Sequence, residues 1–279
     1  MIDLHVHSTY SDGTLTPKEL IALAEKIGLE AMALCDHNTV AGLPDFLEAA
    51  QDSPVTAIAG IEFSTDYADR ELHLLGLGIQ PEHYDAITQL VEEMWQRKEQ
   101  SNVHLIQELN ARGMALDYQA IKNSTPNGQI NRAVIAAEMV RQGYCATSSE
   151  CFSKWLSPKH GLFIPPKRLD VFDTIRFIKS IGAVAVLAHP FLNLDPDSLR
   201  VFLPLAKSCG LDGMEVYYPK FDVQATELVR TIAEEFGILP SGGSDFHGDY
   251  KPDISLGTGR NNLNIPRSVL DALFLRQST

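Results

Sequence analysis

The chain has 279 residues, 44% of them hydrophobic and 21% charged, which suits a folded protein with a sizeable core. A formal charge of -13 and a pI near 5.1 argue against a broad basic groove for long duplex nucleic acid, while leaving room for a small anion at a local positive site. Cys35, Cys145, Cys151 and Cys209 form no CxxC pair, the start lacks the basic region of a signal peptide, and no apolar run is long enough to span a bilayer, so a reduced, cytoplasmic protein is expected.

In chain order, IDLHVH predicts a first strand. A helix follows, with Thr16 as N-cap, Pro17 at its first position and Glu19 completing a capping box. Leu20, Leu23, Ala24 and Ile27 mark its apolar stripe and Gly28 ends it. EAMALCDHN reads as the second strand, VAGLPDFLEAAQ as helical for part of its length, and VTAIAGIEFST and ELHLLGLGI as two more strands. From about Pro81 to Ser157 the pattern turns almost wholly helical, which predicts an inserted subdomain, 81–157, within a domain made of 1–80 and 158–279. Trp95 and Trp155 are expected to pack the core of that insertion. Helix and strand then alternate again: FDTIRFIKSIG, AVAVLAHP, DPDSLRVFLPLAKSCG, LDGMEVYYP, QATELVRTIAEEFG and ILPSGGSDFHG. AVAVLA is continuously apolar, as in a parallel strand covered on both faces, and the repeated βα units predict an α/β barrel or a doubly wound sheet.

Polar residues recur where these strands end. His5 and His7 end the first, His37 the second, Glu62 the third and His189 the fifth, while Asp245 and His247 end the last. His73 lies in the fourth strand and Glu215 late in the sixth. In a βα barrel the C-terminal strand ends meet at one face. His5 and His7 are two apart and project to one side of a strand, as do Asp245 and His247, and Asp12 can fold back over the same face. Six histidines and three carboxylates exceed the ligands of a single open zinc site. They suit two or three divalent ions, with a carboxylate such as Glu62 as a bridge and a mixed N/O donor set that favours Mn, Fe or Zn. With neutral imidazoles the ligand charge is -3, so two or three such ions leave the site positive and suited to a phosphate ester. Asp36 is expected to face away from His37, and Glu215 to support a ligand rather than be one. His83, His104 and His160 read as ordinary polar residues.

HVHSTYSDG, the DHN of CDHNT, GIEFS, HLLG, LAHP and GSDFHG together resemble the successive motifs of the PHP (polymerase and histidinol phosphatase) family. The resemblance covers residues up to about Ile79 and from about Phe163 onward. It implies a distorted (β/α)7 TIM-like barrel with a trinuclear metal site, Mn being the first choice. By the same resemblance His5, His7, Glu62 and Asp245 correspond to ligands of one metal, Glu62, His73 and His189 to those of a second, and Asp12, His37 and His247 to those of a third. Asp12, His37, Glu62 and His247 are then the catalytic candidates. The helical segment resembles the insertion that roofs the site in members that remove the 3′-phosphate of 3′,5′-bisphosphonucleosides, some of which trim short RNA from its 5′ end.

Within the insertion, Arg132 is a candidate phosphate clamp or else a solvated helix start. Lys154 and Lys159, with Lys167 and Arg168, form a basic patch that could hold a second phosphate or be merely solvated. Tyr217, Phe152 and Phe163 could stack on a base, with core packing as the simpler role. The chain reads YYPKFD where the resemblance leads one to expect a histidine near Lys220 or Phe221. Three rival functions are weighed. A histidinol-phosphate phosphatase leaves the large insertion without a purpose. A C–N-cleaving amidohydrolase lacks a strand-end lysine here. A non-catalytic, metal-stabilised scaffold has no need of the full set of nine ligand positions.

Overall fold

Alternating strands and amphipathic helices build both ends of the chain, and a helical stretch separates them. The computed structural model describes residues 1–125 and 130–275. The first end comprises β1 (Ile2–Val6), α1 (Pro17–Ile27), β2 (Ala31–Leu34), α2 (Leu43–Ala49), β3 (Thr56–Tyr67) and β4 (Arg70–Leu77). The middle holds α3 (Tyr84–Asn110), α4 (Tyr118–Ser124), α5 (Arg132–Arg141) and α6 (Ser148–Cys151). The second end comprises β5 (Leu169–Asp170), α7 (Val171–Ser180), β6 (Val184–Leu187), α8 (Pro196–Ser208), β7 (Gly213–Tyr217), α9 (Val223–Phe236), β8 (Leu239–Gly242) and α10 (Arg267–Leu275). The helix α1 starts at the capping box of Thr16 and Glu19 and stops at Gly28, whose φ of 72° satisfies the last carbonyls.

The result is a mixed α/β fold around a curled sheet. The strand order is β1-β2-β3-β4-β6-β7-β8, with the short β5 paired to β3. Neighbours are parallel except at β4, which runs antiparallel to both β3 and β6. Only Ala68 and Asp69 join β3 to β4, and both have positive φ, 48° and 60°. Two consecutive left-handed residues make the tight hairpin turn whose twist matches that of the flanking strands. The strand–helix alternation is therefore interrupted at β4. The sheet curls far enough that the chain just past β8 meets β1: the amide of Asp245 donates to the His5 carbonyl at 2.9 Å, and the amide of His7 to the Phe246 carbonyl at 3.0 Å.

Alternate residues of the strands fill one apolar cluster: Ile2 and Leu4 of β1, Ala31 and Ala33 of β2, Leu75 and Leu77 of β4, and Val184 and Val186 of β6, closed by Leu270 and Leu273 of α10. Each fully buried leucine or isoleucine there contributes roughly 1.5–3 kcal/mol. The chain divides into two compact units, Met1–Gln89 with Arg168–Thr279, and Leu90–Lys167. The first limit falls inside α3, which runs from Tyr84 to Asn110 without a break. The second unit has its own core, built around Leu105, Leu109, Ile135, Met139 and Leu156, on which Trp155 packs. Trp95 does not join that cluster. It carries the ammonium of Lys98 over its ring at 4.5 Å and lines a small cleft of about 90 Å³ with Tyr118.

Candidate metal centre

Backbone proximity brings the first and last motifs of the chain together. Gly243 lies against His5 so closely that a Cβ there would sit 2.4 Å from the His5 Cβ and 2.5 Å from its amide nitrogen. Gly13 abuts the His7 carbonyl in the same way, at 2.4 Å. Only glycine permits these approaches. His189 and Asp245 have φ of 30° and 54°, a region that costs a non-glycine residue free energy and is found where a site over-determines the backbone.

Glu62 is the hub. It is fully buried in the middle of β3, and its two oxygens face different sets of imidazoles. Oε1 lies 2.8 Å from His73 Nδ1 and 3.0 Å from His189 Nε2. Oε2 lies 3.1 Å from His5 Nε2, 3.2 Å from His7 Nε2 and 3.1 Å from His37 Nδ1. Asp245 Oδ1 adds a second carboxylate oxygen 3.3 Å from His7 Nε2. Asp12, more than half exposed, reaches in from the loop after β1, 3.3 Å from His247 Nε2 and 3.7 Å from both His37 Nε2 and His7 Nδ1. Thus all nine ligand candidates named from sequence meet in one place. Among the described residues three sets have ligand atoms mutually within 4.8 Å: His5, His7, Glu62 and Asp245; His7, Asp12, His37 and His247; and His37, Glu62 and His73.

These residues fit divalent cations. The buried atoms His5 Nε2, His7 Nδ1 and Nε2, His37 Nδ1 and Glu62 Oε2 make no hydrogen bond, although several lie close to one another. An unpaired buried polar atom costs on the order of 1–3 kcal/mol, so several around one point need a shared partner. Nitrogen and carboxylate donors without a thiolate suit first-row divalent ions.

Outer contacts fix the rings. Glu215 accepts from His5 Nδ1 at 2.9 Å and from the His189 amide at 2.7 Å, so it orients two imidazoles. Asp36 turns away from the cluster and ties the loop after β1 through the Ser8 amide (2.8 Å) and the Ser8 and Ser11 hydroxyls (each 2.6 Å). Asp245 Oδ2 accepts from the Tyr218 hydroxyl at 2.8 Å and Lys251 Nζ at 2.7 Å. Glu71 lies 3.2 Å from His73 Nε2 and is itself held by Arg168 at 2.7 Å. Tyr218, Lys251 and Glu71 carry no motif signal in the sequence.

The charges are interdependent. Burial opposes a charge on His5, yet Glu62 and Glu215 outweigh it and hold its imidazole well above the ordinary value. Burial likewise opposes a charge on His7 and His73. Asp245 and Glu62 lift the first to about 9, and Glu62 and Glu71 lift the second to about 10. His37 goes the other way, to about 3, because burial and the charge on His7 exceed the help from Glu62. Burial would raise Glu62 and Asp245, but the facing imidazoles keep both well below the carboxylate range.

Tyr217 packs on the apolar cluster, and its hydroxyl accepts from Arg230 at 3.2 Å, so it is Tyr218 that faces the centre. Arg132 lies 4.3 Å above the Phe163 ring and donates to the Leu156 carbonyl at 3.2 Å within the helical unit. Lys154 is paired with Glu150 at 2.6 Å, and Lys159 is exposed in the short turn Pro158–His160.

The PHP domain family matches residues 3–156, more than half of the chain. The chain belongs to the PHP domain family. Among curated members it is 31% identical to a 5′-3′ exoribonuclease of Haemophilus influenzae, over 88% of this chain and 89% of that protein. It is 29% identical to a phosphoribosyl 1,2-cyclic phosphate 1,2-diphosphodiesterase of Eggerthella lenta, over 89% and 94% of the two chains. It is 27% identical to a 3′,5′-nucleoside bisphosphate phosphatase of Chromobacterium violaceum, over 88% and 87%. The solved structure of a Bifidobacterium adolescentis protein described as a metal-dependent phosphoesterase superposes with a TM-score of 0.78 at 26% identity, over 99% of this chain and 96% of that one. These PHP proteins differ in substrate, and their names share hydrolysis at a phosphoric ester.

Proposed function

We propose that the protein is a divalent-metal-dependent phosphoesterase that removes the 3′-phosphate from 3′,5′-bisphosphonucleosides. The observation that carries this reading is Glu62, one buried carboxylate with each oxygen facing its own group of histidines. In this reading His5, His7, Glu62 and Asp245 hold one ion, Glu62, His73 and His189 a second, and Asp12, His37 and His247 a third; the donor set allows Mn, Fe or Zn, and the family resemblance puts Mn first. The ions supply Lewis acidity and lower the pKa of water. The chain's own residues do the positioning. Glu215 sets the tilt of the His5 ring through Nδ1. Tyr218 and Lys251 take up Asp245 Oδ2 and leave Oδ1 for the cluster. Asp12 is the most solvent-exposed of the nine, which suits a group beside the entering phosphate. The curled sheet is read as the distorted (β/α)7 barrel, with β4 as the distortion. The four cysteines are free thiols, which suits the reducing cytoplasm.

A second activity, trimming of short 5′-phosphorylated RNA, is supported by the 31% identity to an exoribonuclease. The deciding experiment measures phosphate release by Mn-loaded protein from adenosine 3′,5′-bisphosphate, histidinol phosphate and a 5′-phosphorylated RNA trimer. A kcat/KM for the bisphosphate far above that for histidinol phosphate supports the proposal. A preference for histidinol phosphate, or no release from any of the three, overturns it.

A further inference from the structure

The cavity beside the cluster combines two chemistries. Its volume of about 450 Å³ falls in the range of nucleotide-sized sites. Glu62, His73, His189 and Asp245 line it, and so do two lysines, Lys220 and Lys251. The lysines come from separate segments, Lys220 from the turn between β7 and α9 and Lys251 from just after the short helical turn Gly248–Tyr250. We propose that Lys220 and Lys251 form an anion subsite in this cavity, which holds the phosphoryl group of the substrate that is not cleaved. This rests on the phosphoesterase reading above and deepens it by assigning two residues to the phosphate that is not cleaved.

Several observations converge on this assignment. The protein is strongly acidic overall, and the cavity wall itself includes Glu71 and Asp245, so a second anion needs local cations to enter. Lysine ammonium groups are well suited to phosphate as compact point charges. Lys251 is already positioned, because Asp245 Oδ2 fixes its Nζ at 2.7 Å and uses one of its three donors. Little further side-chain entropy is lost when it meets an anion. Lys220 is exposed and lies in the field of Asp253, whose carboxylate is engaged by Arg260 at 2.9 and 2.5 Å. Of the basic patch that the sequence suggested for a second phosphate, Lys154 is instead paired with Glu150, and Arg168 with Asp66 and Glu71.

The test separates the subsite from the reaction. Adenosine 5′-monophosphate carries only the group that is not cleaved, and inorganic phosphate mimics the group that is. Binding of each to Mn-loaded protein is measured by calorimetry for wild type, Lys220→Gln and Lys251→Gln, with metal content checked because Lys251 touches Asp245. Kinetics are run in parallel on adenosine 3′,5′-bisphosphate and adenosine 3′-monophosphate. Lys220→Gln is expected to weaken adenosine 5′-monophosphate about tenfold, the effect of losing one charge-assisted contact, and to leave inorganic phosphate within about twofold. It should raise KM for the bisphosphate by a similar factor at unchanged kcat, and leave the 3′-monophosphate unaffected. The proposal is overturned if wild type does not bind adenosine 5′-monophosphate, if Lys220→Gln binds it as wild type does, or if both ligands weaken equally. Weaker nucleotide binding by Lys220→Gln without hydrolysis of either nucleotide keeps the subsite and removes the phosphatase reading. Hydrolysis with unchanged nucleotide binding does the reverse.

Discussion

At the scale of single residues, Glu62 and Gly243 make the most exposed commitments. Glu62→Gln keeps the shape of the side chain but replaces one acceptor oxygen with an amide that points donors at the imidazoles. It is expected to lower bound metal to a fraction of the wild-type content and to cost at least about 10²-fold in kcat, since two of the three candidate ion sites share this carboxylate. Metal analysis with steady-state kinetics checks it, and full metal with full turnover would remove Glu62 from the centre. Gly243→Ala puts a methyl group 2.4 Å from the His5 Cβ. The backbone of β1 or of the segment after β8 must move, with a cost of roughly 1–3 kcal/mol. A fall in Tm together with weaker metal binding is the expected result, and an unchanged Tm would show that the approach is looser than the structure has it. The histidines and carboxylates were legible in sequence because period two and strand-end placement leave a visible pattern. Tyr217 takes the simpler of the two roles the sequence offered, core packing, for a definite reason. Glu215 faces the cluster, and strict alternation would send Tyr217 the same way. The β7–β8 register shifts between Glu215 and Tyr217, so the parity changes and Tyr218 faces Asp245 instead. No sequence pattern announces such a bulge.

At the scale of elements, the helices and most strands follow from caps and periodicity, whereas the direction of β4 does not. Ala68-Asp69 lacks the glycine or asparagine that usually marks a two-residue hairpin. The antiparallel turn has a consequence for the site. His73 pairs with Ser64, which shares a strand face with Glu62, so the diagonal neighbour Glu62 comes within 2.8 Å of His73 Nδ1. A parallel fourth strand would have needed a crossover helix and would have displaced His73 along the sheet. Ala68 and Asp69 are exposed and held at positive φ, a cost that Asn-Gly relieves. The double substitution Ala68→Asn with Asp69→Gly should therefore raise stability by about 1 kcal/mol, read as a Tm increase of roughly 2–4 °C, with kcat/KM unchanged. A lower Tm would mean that the turn has another geometry. The shortest strand, β5, escaped the sequence reading because its two residues carry no periodicity to stand out.

At the scale of the whole molecule, the centre couples folding, metal and protons. In the metal-free chain His7 and His73 are raised from the ordinary 6.5 to about 9 and about 10, so at neutral pH they hold protons against Glu62, Asp245 and Glu71. A raised folded value contributes stability fully below 6.5 and loses it as pH climbs through 9 to 10. A metal ion requires those same imidazoles to be neutral, so binding must expel their protons. Three outcomes follow between pH 6.5 and 8.5. Apparent Mn affinity rises with pH. Calorimetry in buffers of different ionisation enthalpy reports release of at least about one proton per chain on loading. Saturating Mn raises Tm by an amount that grows with pH, with about 2.7 kcal/mol gained at a hundredfold excess of ion over Kd. Affinity that is flat across this range, with no proton release, would mean that the imidazoles are already neutral and that Glu62 is not the counter-charge holding them. A Tm that chelation leaves unchanged at every pH is the separate result that would make the cluster a packed polar core instead of a place built around cations.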